Sequence, residues 1–394
     1  MSFRSILAVP GIKPVLFTLF MAAFGFGVIL PILPFYAVTL GATPFELGLL
    51  TAVFALMSLI FGPVFGKLGD KHGRKPVLLV STAGFAASYV LFAFADTLTL
   101  AFVARGLEGI FAAGVFPACV SLLSDLTSEE HRGKAMGLVG MTFSLGFIVG
   151  PAFGGIASGI SVHAVFWLAA AFSALNFVSV FFQLREPHEK KESHDIVGKE
   201  VTLLEHISSP LLFLLLASMM TTFMVGGIQA VLAIYTGDKL GFTSSEVGLL
   251  FTYIGFLIMI AQLLSGNLVN RFGEVKLIKI GLVISGLGFF LLSFANDWLT
   301  LLLPLAVFVI GNSMTFPSVT SLLTKKVRGK RGAILGLNAS FQNLGQIIGP
   351  LLGGLLYSIN HTYAFVGLAL CIWAYALVFS TLAARSLSSQ HVKN

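Results

Sequence analysis

Long uncharged apolar runs alternate along this chain with short polar and basic breaks. Residues 14–45 contain no Asp, Glu, Lys or Arg. A helix needs about 20 apolar residues to cross roughly 30 Å of hydrocarbon, so this run predicts span 1 at 15–36. Pro31 and Pro34 are expected to kink its end. The run has no A-x-A-like cleavage site and is too long for a signal peptide's apolar region, so it reads as a membrane helix. The same pattern places span 2 at 46–66, span 3 at 76–95 and span 4 at 98–123. Residues 135–184 lack all four charged types and hold two crossings, spans 5 and 6, broken between Gly155 and His163. Beyond them come span 7 at 210–236, span 8 at 246–269, span 9 at 277–295 and span 10 at 299–323. A second uncharged stretch, 332–384, holds spans 11 and 12 with a break around Ser358 to Thr362.

The pattern repeats in its residues as well as in its hydropathy. LGATPFELGLL (40–50) matches LGFTSSEVGLL (240–250), and Phe116-Pro117 matches Phe316-Pro317, both at an offset of 200. After a one-residue deletion, GFIVGPAFGG (146–155) matches GQIIGPLLGG (345–354). Such a steady offset predicts an all-α membrane protein with twelve transmembrane helices in two pseudo-symmetric six-helix bundles, residues 1–184 and 210–394. The charged stretch 185–209 becomes a solvated cytoplasmic linker.

Composition excludes most other classes. Of the 394 residues 56% are hydrophobic and only 10% charged, against about a quarter charged in soluble domains, and the mean hydropathy is +0.94. The net charge of +7 would suggest nucleic acid in a soluble chain. Here, with both termini inside, 22 of the 24 Lys and Arg fall in cytoplasmic segments; Arg105 is intramembrane and Lys239 lies outside. That asymmetry sets the orientation and explains the charge without a nucleic-acid partner. The expected location is the cell's inner (plasma) membrane, multi-pass, with both termini cytoplasmic. Cys119 and Cys371 lie in apolar runs and read as small hydrophobes rather than a disulfide or metal pair. No metal-ligand spacing, G-x(4)-G-K-[ST] loop or nucleophile signature occurs, so no cofactor, metal or enzymatic activity is expected. The histidines, His163 and His361 among them, fall mostly in loops and termini.

Three segments carry candidate chemistry. The loop after span 2 reads GKLGDKHGRKP (66–76), a basic turn in which Gly73 is free to take a positive φ and Asp70 lies beside a helix end. Span 4 contains VARGLEGIFAAG (103–114), in which Arg105 and Glu108 share one helical face at i, i+3. A charge at that depth is costly unless paired or wetted, so a functional role is the default; the plain alternative is a permanently ionised pair that fixes span 4 against span 1. The second half has no such acid, Phe308 standing at the equivalent place. Span 5 contains Gly146, Gly150 and Gly154 at four-residue intervals, with Pro151 and Gly155 beside them. That spacing leaves a flat face for close helix contact.

These segments resemble motifs of the major facilitator superfamily. The loop is similar to its signature G-x-L-x-D-x-x-G-R-[RK], with Gly66, Leu68, Asp70, Gly73, Arg74 and Lys75 in place. The resemblance implies a cytoplasmic gate in which Asp70 latches the halves and Arg74 pairs with an acid at the inner end of span 4, here Asp125. The second-half copy, GNLVNRFGEVK (266–276), has Asn270 for the acid and Glu274 for the arginine, which implies a one-sided latch. Span 4 resembles the family's R-x-x-[Q]-G-x-x-A-[AG] motif, with Glu108 where Gln is more usual. Span 5 resembles the "antiporter" motif G-x(3)-G-P-x(2)-G-G of exporters, although its reappearance at 345–354 weakens it as a direction marker. Within the superfamily the chain most resembles the twelve-helix drug:H⁺ antiporters.

The resemblance implies alternating access, efflux of a hydrophobic or amphipathic small molecule such as a drug in exchange for H⁺, and function as a monomer in the bilayer. Glu108 is then the proton carrier and Arg105 its partner. Phe20 and Phe24 in span 1, Gln229 in span 7, Asn312 in span 10, and the stripe Asn338, Gln342 and Gln346 in span 11 are candidate cavity residues. The amides serve equally well as substrate ligands or as interhelical hydrogen bonds. A proton symporter or facilitator for a sugar or other metabolite is the alternative function. A non-transporting sensor or enzyme on this scaffold would need an added soluble domain or catalytic cluster, and neither is present.

Overall fold

The computed structural model describes residues 7, 9–184, 186, 210–326 and 331–383. The linker expected at 185–209 lies outside the described residues, apart from Glu186. Every described element is helical. Span 1 is Ile12–Ile29 continued by Leu33–Thr39; span 2 is Pro44–His72, span 3 Arg74–Ala93, span 4 Leu98–Asp125, span 5 Glu129–Ser158 and span 6 Val162–Gln183. Span 7 is Pro210–Leu240, span 8 Ser244–Phe272, span 9 Glu274–Leu292, span 10 Trp298–Lys326, span 11 Arg331–Ile359 and span 12 His361–Val378, which ends in a π-helical turn at Phe379–Ala383.

The breaks fall where local chemistry puts them. Span 1 stops at Pro31 and restarts with Pro34 in the first turn of its second helix, since proline has no N–H for an interior helical bond but fits a first turn. Spans 4, 6 and 12 start on side-chain caps: Thr97 accepts from the Leu100 amide, Ser161 from Ala164 and Asn360 from Thr362. The repeat is visible in the backbone, where Gly41 and Gly241, and Gly73 and Gly273, all take positive φ.

Eleven described helices are long and apolar enough to cross a membrane. Span 11 has the length, 29 residues, but Asn338, Ser340, Gln342, Asn343 and Gln346 dilute its hydropathy.

By their contacts the described residues among 1–43, 53–193 and 236–255 form one compact unit, and those among 44–52, 194–235 and 256–394 form the other. In the first, the span 5 glycines lie against the backbone of span 1. A Cβ on Gly146 or Gly150 would stand 2.6 Å from the Phe20 or Phe24 carbonyl oxygen, and one on Gly154 would strike that of Val28. Spans 3 and 6 meet through stacked Phe92 and Phe166, 5.0 Å between centroids. Residues 236–255 join this unit through span 5, where Ser245 Oγ donates to the Gly155 carbonyl (2.6 Å) and Ser244 Oγ to Ser158 Oγ (2.8 Å).

The second unit repeats the device. Side chains on Gly345 and Gly349 would strike the backbone of span 7 at Met219 and Phe223, and Gly48 in its span 2 segment abuts the Pro350 carbonyl. Close approach of backbones through small residues is how helices associate where no hydrophobic force separates protein from lipid.

Candidate functional site

Arg105 and Glu108 are 3% and 0% exposed, and Arg105 Nη1 donates to Glu108 Oε2 at 2.6 Å. The guanidinium carbon lies over the ring of Phe54 at 4.6 Å and of Phe26 at 5.6 Å. The other carboxylate oxygen, Oε1, accepts from the Tyr89 hydroxyl at 3.3 Å. Three neighbouring helices thus converge on the pair. Span 3 contributes Tyr89; spans 2 and 1 contribute Phe54 and Phe26, whose rings are 5.3 Å apart. Gly109 brings span 2 close, since a Cβ there would meet the Phe54 carbonyl. Arg105 Nε has no partner among the described residues. An ion pair taken this far from water is weak evidence for stability, because desolvation offsets most of the attraction.

The second half shows what the scaffold does at this place without ions. Two hundred residues on from Tyr89, Arg105 and Glu108 stand Phe289, Leu305 and Phe308. Phe289 and Phe308 pack edge to face at 5.2 Å. The helix pair closes with apolar side chains there, so the charges in the first half are not a packing requirement of the fold.

The signature loop is held differently from expectation. Arg74 pairs with Asp70 of its own loop at 2.5 Å, not with Asp125, which lies exposed at the end of span 4. The two partners are four residues apart across the turn, whereas Asp125 is on another helix. Glu186 supplies a contact that was not foreseen: its carboxylate accepts from the Arg74 amide (2.6 Å) and the Lys75 amide (2.7 Å), capping span 3. Gly73 is required twice over, by its φ of 96° and because a Cβ would stand 2.5 Å from Glu186 Oε1. Gly66, in contrast, has nothing within 4 Å of a built Cβ. Lys75 Nζ reaches the Phe181 carbonyl at 2.9 Å.

The second-half loop, which has Asn270 where the first has Asp70, carries an ion pair of its own. Glu274 accepts from Ser321 Oγ at 2.9 Å and pairs with Lys325. Positions 274 and 325 are the repeats of Arg74 and Asp125, with the charges reversed.

The candidate cavity residues separate into two groups. Phe24 is 2% exposed and wedged between Phe172 (4.7 Å) and Phe153 (5.6 Å). It is a packing residue, which corrects its placement on a cavity wall; Phe20 stacks on it at 5.9 Å. The span 11 amides turn to span 7: Gln342 Nε2 donates to Ser218 Oγ (3.1 Å) and Gln346 Nε2 to Gln229 Oε1 (3.0 Å). Asn338 and Asn312 each bury an Oδ1 that has no partner among the described residues.

Comparison with known proteins fits this geometry. The family model described as Major Facilitator Superfamily matches residues 15–243 and 214–392, the two halves in turn. The chain belongs to the major facilitator superfamily. Its relatives include Multidrug resistance protein 1 of Bacillus subtilis (strain 168), 30% identical, the alignment covering 90% of this chain and 93% of that one. The Tetracycline resistance protein, class B, of Escherichia coli is 32% identical with 86% of each chain covered. A solved bacterial homolog to the human lysosomal transporter Spinster superposes with a TM-score of 0.80 over 98% of both chains at 16% identity, a likeness of fold. As a superfamily member the protein is a multi-pass membrane transporter.

Besides Glu186, sequence reasoning missed Tyr89, Lys325, Phe26 and Phe54. Tyr89 carried a signal, since it is one of seven tyrosines among 38 phenylalanines and its repeat is Phe289. Lys325 carried one too, by its offset from Asp125. Phe26 and Phe54 had none, because nothing in a run of apolar residues marks which rings face a cation.

Proposed function

We propose that this transporter exports hydrophobic or amphipathic small molecules, drugs among them, in exchange for protons by alternating access, with its termini on the cytoplasmic side. The observation that carries the coupling is the Arg105–Glu108 pair, fully buried in span 4 and replaced by Leu305 and Phe308 in the repeat. The relatives named for multidrug and tetracycline resistance support efflux of drug-like compounds.

In this mechanism ionised Glu108 is held by Arg105 and the site is neutral overall. A proton on Glu108 removes the partner of Arg105 and leaves an uncompensated cation over Phe26 and Phe54. The two protonation states therefore favour different packings of span 4 against spans 1 and 2, which is a differential interaction of the kind a transport cycle needs. With one intramembrane carboxylate, the exchange carries about one H⁺ per cycle.

The test is reconstitution in liposomes loaded with a pH dye, under an imposed proton gradient, with a panel of lipophilic cations, neutral drugs and sugars. Proton flux that follows a lipophilic compound and vanishes in Glu108→Gln is the expected result. Substrate movement with a static gradient, or a Glu108→Gln protein that behaves as wild type, overturns it.

A further inference from the structure

We infer that Tyr89 is the positioning residue of the proton site: it holds the Glu108 carboxyl in place in both protonation states, so that Arg105 is the part that moves. The inference rests on the reading of Glu108 as proton carrier. Its own evidence is geometric. The two carboxylate oxygens are divided between donors on different helices, Oε2 to Arg105 at 2.6 Å and Oε1 to Tyr89 at 3.3 Å. Tyr89 is 1% exposed, and a buried phenol without a partner is costly. The repeat uses Phe289, packed on Phe308, which stands in the place of the acid. The hydroxyl therefore goes with the carboxylate rather than with the packing. Span 1 makes room for it at Gly25, where a Cβ would stand 3.2 Å from the hydroxyl oxygen.

The donor inventory gives the two groups different parts. A guanidinium only donates, so it has nothing to offer the protonated oxygen of a carboxyl; a phenol both donates and accepts. When a proton from water adds to Glu108, the Tyr89 hydroxyl rotates and accepts from the new O–H, with no net transfer to tyrosine. Arg105 then faces the neutral carbonyl oxygen Oε2 in place of a carboxylate, and its charge is left with no anion and only the two rings beside it. Among the described residues, Arg105 and Tyr89 are the charged and titratable groups facing Glu108, while spans 1 and 2 present Phe26 and Phe54 to Arg105.

The experiment compares wild type, Tyr89→Phe, Gly25→Ala and Glu108→Gln in liposomes. It reads the pH profile of ethidium/proton exchange and, by infrared difference spectroscopy, the carboxyl stretch that disappears in Glu108→Gln. Tyr89→Phe is built to fold, since the repeat carries phenylalanine at this place. Losing one hydrogen bond to the charged form should move the pH of half-maximal exchange up by about half to one unit and raise the carboxyl stretching frequency. Gly25→Ala, which presses on the hydroxyl, should shift both readouts in the wild-type background and neither in Tyr89→Phe. If the profile and the band are unmoved in Tyr89→Phe while Glu108→Gln flattens the profile, the positioning role is wrong and the proton reading stands. If Glu108→Gln leaves the profile unchanged, the proton reading fails, and the inference about Tyr89 falls with it.

Discussion

Separating the two charges of span 4 is the sharpest test of whether they serve stability or coupling. Removing one member of a buried pair costs about 3–5 kcal/mol, because the other charge is left in a medium that cannot solvate it. In Glu108→Gln the stranded group is Arg105, which keeps Phe54 at 4.6 Å and Phe26 at 5.6 Å. Those rings face it in the wild type as well, so they do not offset the loss, which should be about 3–5 kcal/mol. In Arg105→Gln the stranded group is a carboxylate with the Tyr89 hydroxyl as its donor. That loss should stand near the full 3–5 kcal/mol at neutral pH and shrink as the medium is acidified and the carboxyl becomes neutral. The double variant Arg105→Gln/Glu108→Gln removes both charges and leaves two amides able to bond each other, so it should lie within about 1 kcal/mol of wild type. The coupling energy would then exceed about 2 kcal/mol. The assay is equilibrium unfolding in a non-ionic detergent followed by tryptophan fluorescence, with transport measured in parallel. The double variant should be stable and uncoupled. If it is as unstable as the two single losses summed, the pair stabilises span 4 outright, and the comparison with Leu305 and Phe308 has misled.

Four other outcomes follow from the packing and the loops. Gly150→Leu should cost about 3 kcal/mol or more by driving a side chain into the Phe24 carbonyl, whereas Gly137→Leu and Gly140→Leu, with nothing within 4 Å, should stay within about 0.5 kcal/mol of wild type; expression and unfolding midpoints measure both. Gly73→Ala should reduce transport more than Gly273→Ala, because both force a positive φ on alanine but only the first meets Glu186, and adding Glu186→Ala should restore part of the difference. Reversing Glu274 or Lys325 singly should slow transport, with the exchanged pair Glu274→Lys/Lys325→Glu recovering it; the stability change should remain under about 1 kcal/mol, since the lysine is mostly exposed. A double-mutant cycle of Gln229→Ala and Gln346→Ala should give a coupling of about 0.6 kcal/mol, and an additive result would mean that the 3.0 Å contact contributes nothing to the span 7–span 11 interface.

What the sequence revealed follows from how each constraint is written into it. Lipid leaves so few ways to satisfy a backbone that twelve helices can be counted from runs without charge, and Pro31 with Pro34 marks the break in span 1 because the missing N–H is a local property. The ion pair was equally legible, as Arg105 and Glu108 are one turn apart on one helix. Long-range partners were not. Arg74 had two acids to choose from, and only the folded turn shows it on Asp70 with Glu186 over the neighbouring amides. Phe24 looks the same in a sequence whether it faces a cavity or Phe172. Between these extremes stands the repeat, which carried more than was drawn from it. Aligning Asp125 with Lys325 beside Arg74 with Glu274 already shows opposite charges at two positions that meet in the second half, and aligning Tyr89 with Phe289 beside Glu108 with Phe308 already shows a hydroxyl in the half that has the acid. In a duplicated fold each half is the other's control, and a polar residue present in one half and apolar in the other marks a position the scaffold does not need. By that criterion the scaffold does not need the polar groups of Tyr89, Arg105 and Glu108, which supports the roles proposed for them, and the glycines shared by spans 5 and 11 belong to packing.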